Sequence, residues 1–377
     1  MNYPNQRQYS REISIETNQR CNLNCIYCYE QVRSDNVLDI ERIKIILQEQ
    51  LSKKTENGTL IHLHGGEPFL KFELIKQLSE WLWEQHFDES FIIHTTTNGT
   101  FVHGAIQKWL MKNHHRFFAK LSLDGNRLAH NINRNNSFDR IDINFFLKCW
   151  PNVALKMTIS ESSLPYLAES IIFLHKNGFQ FIQAGLADFI DWKSTTNQRI
   201  FKEQFKVLNV FYLNHLELNR CKMYDIPFER LLDPDNLQWY QKKPCLTRTK
   251  IAYDINGREY PCHLFFPSVT QTGRYESIDF TSFNTDDLSS YVSQECIECQ
   301  VRPLCKTCYG SNLICRGSIQ ARNMHLCSME KIRIASVAKF EYERILNNCR
   351  TDEIDQNDYV KMLAISKIAS WINKTLC

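Results

Sequence analysis

The sequence predicts an α/β fold in which six strands alternate with six helices, followed by a smaller cysteine-rich region. Segments with apolar residues at every second position alternate, over roughly the first 220 residues, with segments whose apolar residues recur every three or four positions. The fifteen cysteines are unevenly placed, because three lie within residues 21–28 and ten lie from residue 245 onward. These two observations predict an α/β unit followed by a metal-binding one.

Each predicted strand is followed by a predicted helix. The first strand, REISIET at 11–17, alternates well and precedes the amphipathic segment VLDIERIKIILQEQL. The next five pairs are TLIHLHG with FELIKQLSEWLWEQ, FIIHTTT with AIQKWLMKN, FFAKLSLDG with SFDRIDINFFLKCW, VALKMTIS with LPYLAESIIFLHKNG, and FIQAGLAD with NQRIFKEQFKVLNVFYLNHL. Right-handed helical crossovers make such strands parallel. Periodicity alone leaves a partial barrel and an open, doubly wound sheet as alternatives.

Length, charge and hydropathy describe an ordinary globular chain of 377 residues, with 43% hydrophobic residues and a formal charge of +3. The Lys and Arg residues are scattered, so we expect no nucleic-acid partner. No apolar run reaches the roughly 18 residues of a membrane span, and MNYPNQRQYS is too polar for a signal peptide. We expect a cytoplasmic protein without a membrane partner, in which cysteines bind metal or clusters rather than form disulfides.

The unusual polar residues follow the first four predicted strands. The carboxyl ends of parallel strands meet at one edge of a sheet, where functional loops lie. In chain order these loops carry Cys21, Cys25 and Cys28; Gly65, Gly66, Glu67 and Pro68; Asn98; and Ser122 and Asp124, with His130 and Arg134 a little further on. We therefore expect a polar small-molecule site beside a metal centre.

The spacing CxxxCxxC, with GGEP after the second strand and SLDG after the fourth, resembles the radical S-adenosylmethionine (SAM) family. In that family three thiolates hold a [4Fe–4S] cluster whose fourth iron binds SAM. Reductive cleavage of SAM gives a 5′-deoxyadenosyl radical that abstracts hydrogen from substrate. The resemblance implies that Cys21, Cys25 and Cys28 hold this cluster, and it favours a partial (β/α)6 TIM-like barrel.

The resemblance also assigns SAM contacts. Glu67, in the loop whose Gly65 and Gly66 allow close backbone approach, matches the position that meets the SAM amino group. Tyr27 matches the aromatic position beside the adenine.

The later loops complete the implied SAM site. Ser122 and Asp124 match the ribose contacts, and the guanidinium of Arg134 suits the SAM carboxylate. Asn98 is a further ribose or adenine candidate, although Asn in a turn is also common for structural reasons. A zinc site remains the alternative for the cysteine loop, but structural zinc needs a fourth ligand, and only His62 or His64 lies nearby.

Eight later cysteines form a second pattern. The segment IAYDINGREYPC alternates and has Asn256 and Gly257 as a hairpin turn. The pattern resembles the SPASM extension of peptide-modifying radical SAM enzymes, which binds two auxiliary [4Fe–4S] clusters. The resemblance gives one cluster to Cys296, Cys299, Cys305 and Cys327, and the other to Cys245, Cys262 and Cys308. Zinc ribbons are the alternative.

The SPASM pattern is not followed throughout. CKTC has two residues between its cysteines where the family has three, and six residues separate Cys308 from Cys315. Either Cys315 is the fourth ligand of the second auxiliary cluster, or that cluster has an iron open to a substrate thiolate.

The SPASM resemblance implies a radical SAM maturase of a ribosomally synthesised peptide. Thioether or other side-chain crosslinking is the leading hypothesis, with epimerisation and sulfatase-type formylglycine formation as alternatives. In formylglycine-forming members the Cys of GxxxxC is followed by an Asp that can act as a general base, where this chain has His263. That difference weakens the sulfatase alternative, although His is a capable base and is our candidate catalytic residue. A non-catalytic iron–sulfur or zinc protein is the alternative of another class.

The predicted organisation is a radical SAM partial barrel at 10–220, a bridging segment at 221–244, a SPASM domain at 245–335 and C-terminal helices at 336–377. Many maturases of ribosomally made peptides have an N-terminal module of roughly 80 residues that binds a leader peptide. Because the first strand begins near residue 11, we expect a leader peptide to bind another surface of this chain or a separate protein. The other expected partners are a peptide or protein substrate and an electron donor such as flavodoxin or ferredoxin. Two amphipathic segments after Cys327 predict terminal helices.

Overall fold

A computed structural model describes residues 9–30, 32–233, 249–270, 296, 298–305, 308–319, 321–348 and 354–376. Its contacts divide the chain into two compact units. Unit 1 comprises Met1–Met157, Gly178–Gln180 and Leu246–Thr285, and unit 2 comprises Thr158–Asn177, Phe181–Cys245 and Asp286–Cys377. Both units are discontinuous in sequence, and the four linear boundaries expected from the sequence stay a prediction.

The main sheet of unit 1 contains the first four predicted strands in parallel. They are β1 (Arg11–Glu16), β2 (Thr59–His64), β3 (Phe91–Thr97) and β4 (Phe117–Leu121), and each pairs with its neighbour in the sequence. The intervening helices are α1 (Ile40–Leu51), α2 (Phe72–Glu84) and α3 (Ala105–Asn113), with α4 (Arg127–Asn133) and α5 (Ile143–Cys149) after β4. The α/β fold class with a parallel sheet is confirmed.

Two more strands extend this sheet beyond β1. Strand β7 (Lys250–Tyr253) pairs in parallel with β1, and β8 (Glu259–Tyr260) pairs antiparallel with β7. The predicted hairpin is therefore confirmed, with Gly257 at φ +72 in its turn. Its sheet partner was not predicted: the hairpin lies beside the first strand, in unit 1, and Lys250 Nζ contacts Glu12 Oε1 at 2.7 Å.

The remaining predicted strands, β5 (Leu155–Ile159) and β6 (Ile182–Leu186), form a two-stranded sheet. An isolated parallel bridge between Ser122, just after β4, and Lys156 of β5 connects the two strands. Helices α6 (Leu167–Lys176) and α7 (Thr195–Leu213) follow β5 and β6, so all six predicted βα units are present.

The two faces of the main sheet have different chemistry. Ile13, Ile15, Ile61 and Leu63 are completely buried on one face. Residues of the opposite face are buried as well, yet they are polar: Glu12, Ser14, Glu16, His62, His64 and His94. Parallel sheets are normally covered on both faces. Burial of so many polar groups costs free energy, which indicates that this face serves function rather than packing.

The C-terminal part has mostly helical described residues. Helix α8 (Pro267–Thr270) belongs to unit 1; α9 (Tyr309–Arg316), α10 (Cys327–Asn348), α11 (Gln356–Ser366) and α12 (Ala369–Leu376) belong to unit 2. The first predicted terminal helix is confirmed as α10, which Asn209 of α7 joins through a 2.9 Å bond to the Ser336 carbonyl. The second predicted segment divides into α11 and α12. Within the described part of the chain, no helix is both long and apolar enough to cross a membrane.

Candidate functional site

The three clustered cysteines lie in the loop between β1 and α1. The Cys28 N–H donates to the Cys25 carbonyl at 3.1 Å, the Leu23 N–H donates to Cys21 Sγ at 3.4 Å, and the Ile26 N–H donates to the Asn133 carbonyl at 3.1 Å. Burial raises the pKa of the Cys21 thiol to about 12. Thiolates form there only when a cation stabilises them, which is what cluster binding provides.

The glycine pair of GGEP packs against the main chain directly before the cysteine loop. The Gly66 N–H donates to the Asn18 carbonyl at 3.1 Å, and the Glu67 N–H donates to the Arg20 carbonyl at 2.9 Å. A Cβ atom on Gly66 would lie 2.4 Å from the Arg20 oxygen, and one on Gly65 would lie 2.5 Å from the Asn18 oxygen. Only glycine permits these approaches, so the pair fixes the backbone directly before Cys21.

Glu67 joins the ends of β2 and β3. Its carboxylate accepts bonds from the Asn98 N–H at 2.8 Å, the Thr97 hydroxyl at 2.7 Å and the Phe69 N–H at 3.1 Å. Burial raises the pKa of this carboxyl, while these bonds oppose the rise. The predicted contact between Glu67 and the SAM amino group stays a prediction; the contacts present give Glu67 a role in positioning Asn98.

Asp124 is the centre of a buried polar group. Its Oδ2 accepts bonds from the Tyr27 hydroxyl at 2.6 Å, Arg134 Nε at 2.9 Å and Asn133 Nδ2 at 3.0 Å. Burial lowers the pKa of Arg134, but Asp124, Tyr27 and Cys25 outweigh that effect and raise it, so the guanidinium is always charged. Tyr27, Asp124 and Arg134, which were predicted separately to contact the adenine, the ribose and the carboxylate of SAM, thus form one hydrogen-bonded group.

His130 contacts the same polar group through the main chain of Asp124. The Asp124 N–H donates to His130 Nδ1 at 3.3 Å, and His130 Nε2 lies 2.9 Å from the Ser137 hydroxyl. Burial lowers the pKa of His130 to about 4, which keeps the ring neutral and able to accept at Nδ1. His130 is therefore a positioning residue for Asp124.

The other predicted SAM residues reach the same edge of the sheet. Asn98 Nδ2 donates to Asn22 Oδ1 at 2.9 Å and lies 3.9 Å from Cys21 Sγ. The Ser122 N–H donates to the Thr97 carbonyl at 2.9 Å, which places Ser122 beside the end of β3. The structure thus brings together the cysteine loop and every residue predicted to contact SAM, although the individual contacts with SAM stay predictions.

Three buried histidines, His62, His64 and His94, and the half-buried His263 form a cluster on the polar face of the sheet. The rings of His62 and His94 stack with centroids 4.3 Å apart, and His64 lies 4.8 Å from His263. Burial lowers the pKa of His62, His94 and His263 well below the usual value, so these imidazoles are neutral at pH 7. Only His263 was predicted to be catalytic; the alternation in TLIHLH was the signal that His62 and His64 share a face.

Glu12, His62 and His94 place their ligand atoms within 4.8 Å of one another, as a metal site would. Two features oppose a cation there. The Lys250 ammonium already lies 2.7 Å from Glu12 Oε1 and would repel a divalent ion. The stacked rings, inclined by only 6°, also direct their lone pairs along parallel planes instead of toward one point. We therefore interpret this group as part of a polar cavity wall and not as a metal centre.

Glu30 was not predicted and belongs to the same region. It lies two residues after Cys28, and its Oε1 is 2.8 Å from His64 Nε2. Within the described residues His64 Nε2 makes no hydrogen bond of ordinary geometry, so the contact with Glu30 is one of proximity and charge. His64 in turn lies next to His263, whose ring is 6.1 Å from that of Tyr29.

The later cysteines are described within their own units. In unit 1, Cys262 precedes a 3₁₀ turn at His263–Phe265. In unit 2, Arg322 Nη2 donates to Cys305 Sγ at 2.8 Å. The same guanidinium interacts electrostatically with Cys296 and Cys327, and Cys305 with Cys299. Of the four cysteines predicted for one auxiliary cluster, three therefore interact with Arg322, and the fourth, Cys299, interacts with Cys305.

The second predicted auxiliary set is only partly visible, since Cys245 lies outside the described residues. Cys308 begins α9 and accepts a 3.4 Å bond from the Ser311 N–H. Cys315 is on the same helix two turns later, about 10 Å along its axis. Burial raises the pKa of Cys315. A hydrogen bond with Ser311 lowers it, and the charge of Asp188 raises it. Whether Cys315 is a ligand stays a prediction.

Comparison with known proteins gives this geometry a family. The Radical SAM superfamily model matches residues 15–141, which include the cysteine loop, GGEP, Asp124 and Arg134. The chain contains a radical SAM domain. A radical SAM domain implies a [4Fe–4S] cluster, which we expect at Cys21, Cys25 and Cys28. The donor set fits, because three half-buried thiols lie on one loop that is held by glycine contacts a Cβ would block. The non-catalytic alternative is thereby set aside.

Relatives extend the likeness beyond the radical SAM domain. The cysteine-type anaerobic sulfatase-maturating enzyme of Clostridium perfringens strain 13 is 23% identical over 338 residues, covering 81% of this chain and 89% of the relative. The solved structure of anSMEcpe with bound AdoMet and the Cp18Cys peptide has a TM-score of 0.68 at 19% identity, covering 90% of this chain and 98% of that one. Streptococcus suis SuiB bound to precursor peptide SuiA has a TM-score of 0.57 at 19% identity, covering 84% and 76%. These structures show the shared fold.

Proposed function

We propose that this radical SAM enzyme is a maturase that oxidatively modifies a peptide or protein side chain. The observation that carries the proposal is the meeting of the cysteine loop, the Glu67–Asn98 pair and the Tyr27–Asp124–Arg134 group at one edge of the sheet. The relatives favour a peptide substrate, because anSMEcpe was solved with the Cp18Cys peptide and SuiB with SuiA.

The residues of unit 1 hold and orient the SAM. Bound to the cluster, SAM supplies a 5′-deoxyadenosyl radical that removes a hydrogen atom from the substrate. Arg134 would present its remaining guanidinium N–H groups to the SAM carboxylate, because Asp124 holds Nε. Tyr27 is fixed by Asp124 and would pack beside the adenine. Asn98, held through Glu67, lies beside the cysteine loop and would contact the ribose or adenine.

His263 is proposed as the group that takes the substrate proton. Burial lowers its pKa, so the ring is neutral at pH 7 and can accept. Crosslinking and formylglycine formation both remove a hydrogen atom, a proton and an electron from the substrate, whereas epimerisation returns a hydrogen. A proton acceptor beside the Glu30–His64 pair therefore favours the two oxidative reactions.

Crosslinking remains the leading reaction, and formylglycine formation is the second candidate. The sulfatase-maturating relatives favour the second reaction. His263 weakens it, because the resemblance to formylglycine-forming members implies an Asp at that position. Peptide mass separates them. A crosslink removes two hydrogens, formylglycine formation from Cys also replaces sulfur by oxygen, and epimerisation leaves the mass unchanged.

The C-terminal cysteines are proposed to hold two auxiliary [4Fe–4S] clusters, which receive the substrate electron. The interactions of Cys296, Cys305 and Cys327 with Arg322, and of Cys299 with Cys305, support the first of them. A flavodoxin or ferredoxin is the proposed reductant, and a separate protein is a candidate for binding a leader peptide. Iron content decides between clusters and zinc, since three cubanes require about twelve irons and one requires about four.

The test uses protein purified and reconstituted without air. Supplied with SAM and reductant, it should release 5′-deoxyadenosine, and Cys21→Ala should release none. Cp18Cys and SuiA serve as the first peptide probes, followed by mass spectrometry. Absence of the nucleoside from iron-loaded protein contradicts the enzymatic part of the proposal.

The role of His263 is tested separately. His263→Gln should still release 5′-deoxyadenosine but should form less modified peptide per nucleoside, because hydrogen abstraction precedes proton loss. His86→Gln, at an exposed position of the same unit, is the matched control. Equal product-to-nucleoside ratios for the two variants would contradict a catalytic His263.

A further inference from the structure

Arg322 is a cationic side chain of unit 2 that bonds to a cysteine sulfur. Its Nη2 lies 2.8 Å from Cys305 Sγ. The same guanidinium interacts electrostatically with Cys296 and Cys327, so three of the four thiols assigned to one auxiliary cluster act on one cation. From this geometry we propose that Arg322 sets the reduction potential of the auxiliary cluster at Cys296, Cys299, Cys305 and Cys327. The inference rests on the proposed function.

The position of Arg322 is built by neighbouring residues. Arg316 Nη1 donates to the Arg322 carbonyl at 3.0 Å. The next residue, Asn323, is held at both ends: its N–H donates to Asn312 Oδ1 at 2.8 Å and its Nδ2 to the Ser311 hydroxyl at 2.8 Å. Helix α9 therefore fixes the main chain at Arg322 and Asn323.

Glu330, a carboxylate that acts on Arg322, is also bonded to a second guanidinium. Glu330 bonds to Arg333 through both oxygens, at 2.9 and 2.7 Å, and Arg333 also donates to the Met223 carbonyl. Burial lowers the pKa of Arg322, but Cys305, Cys296 and Glu330 outweigh it and raise the value. The guanidinium therefore stays protonated beside the cysteines.

The expected effect follows from charge. Reduction adds one electron to a cluster that already carries negative thiolates. A fixed cation and an N–H···S bond stabilise the reduced form more than the oxidised form, so they raise the potential. A higher potential makes the cluster a better acceptor for the electron that an oxidative modification removes from the peptide. Arg322 is thus a positioning residue acting through the cluster.

The experiment measures the potential directly. The full chain with Cys21, Cys25 and Cys28 replaced by Ala retains only the auxiliary clusters, and their reduction is followed by EPR during an anaerobic redox titration. In this background Arg322→Gln should lower one of the two auxiliary potentials by about 60 mV or more, a tenfold change for one electron. Arg322→Lys keeps the charge but loses the planar guanidinium with its several N–H donors, so it should give a smaller fall in the same potential.

Lys339→Gln is the matched control. It removes one positive charge from α10 at an exposed position, twelve residues beyond Cys327 and about 18 Å along the helix. Both potentials should stay at their values in the three-alanine background. If Arg322→Gln assembles fewer irons than the control, Arg322→Lys decides: a lowered potential supports the proposal and an unchanged one overturns it.

The outcomes separate this inference from the proposed function. Unchanged potentials in a protein with both auxiliary clusters overturn the role of Arg322 alone. Wild-type protein that releases 5′-deoxyadenosine but contains only about four irons overturns the role of Arg322 together with the auxiliary clusters. Protein that releases no nucleoside but shows the predicted potential shift contradicts the proposed function and leaves Arg322 as a redox-tuning residue.

Discussion

The buried pair formed by Asp124 and Arg134 allows a quantitative prediction. Both side chains are at least nine-tenths buried, and Asp124 has no exposed surface. Asp124→Asn keeps the shape but leaves the guanidinium without its buried counter-charge. Removing one partner of such a pair costs about 3–5 kcal/mol. For a unit of about 200 residues this corresponds to a fall in Tm of about 6–20 °C.

A second Arg–Asp pair at the same helix is the control. Arg127, at the start of α4, pairs with Asp139, and these side chains are 65% and 56% exposed. Exposed pairs contribute about 0–1 kcal/mol, so Asp139→Asn should lower Tm by no more than about 4 °C. Thermal unfolding of the cluster-free protein without air compares the two variants. Equal Tm values would refute the argument that burial of the Asp124–Arg134 pair determines its contribution.

Three more predictions concern the same unit. Gly66→Ala should cost the protein about four irons after reconstitution, because the new Cβ would displace the cysteine loop; Gly185→Ala, which meets nothing within 4 Å, should retain full iron content. Glu67→Gln should weaken SAM binding in equilibrium dialysis and lower stability by about 1–3 kcal/mol, since an amide N–H₂ would face main-chain donors; unchanged binding would contradict a positioning role. The pKa of His94 is lowered by burial, so its contribution to stability is complete above about pH 6.5 and is lost as pH falls, by about 1 kcal/mol per pH unit. Urea unfolding between pH 7 and 5.5 should show a shallower pH dependence for His94→Leu than for His86→Gln, and identical slopes would contradict the buried neutral imidazole.

The sequence predicted the βα order and the edge at which the site lies because both follow from local patterns. Alternation and helical spacing defined the units, and parallel strands place their following loops together. CxxxCxxC, GGEP and SLDG then met at that edge in the structure. Motifs at strand ends are predictable in this way even when the residues between them are far apart in the chain.

Two features depended on contacts that no local pattern carries. The hairpin at residues 250–260 was predicted, but its place beside β1 was not, since pairing across more than 200 residues is decided by the whole sheet. The mutual bonding of Tyr27, Asp124 and Arg134 was likewise hidden, because each was assigned a separate SAM contact. The distances show that one carboxylate organises the other two.

Synthesis of the chain imposes a delay on the sheet, because β1 and its partner β7 are separated by about 240 residues. At about 5–20 residues per second, the ribosome needs roughly 10–50 s to release β7 after β1. During that time one side of β1 presents unpaired main-chain groups, a surface prone to aggregation. Expression of this protein should therefore depend on chaperones or on slow growth, and truncated forms that end before residue 250 should be recovered mainly as aggregates.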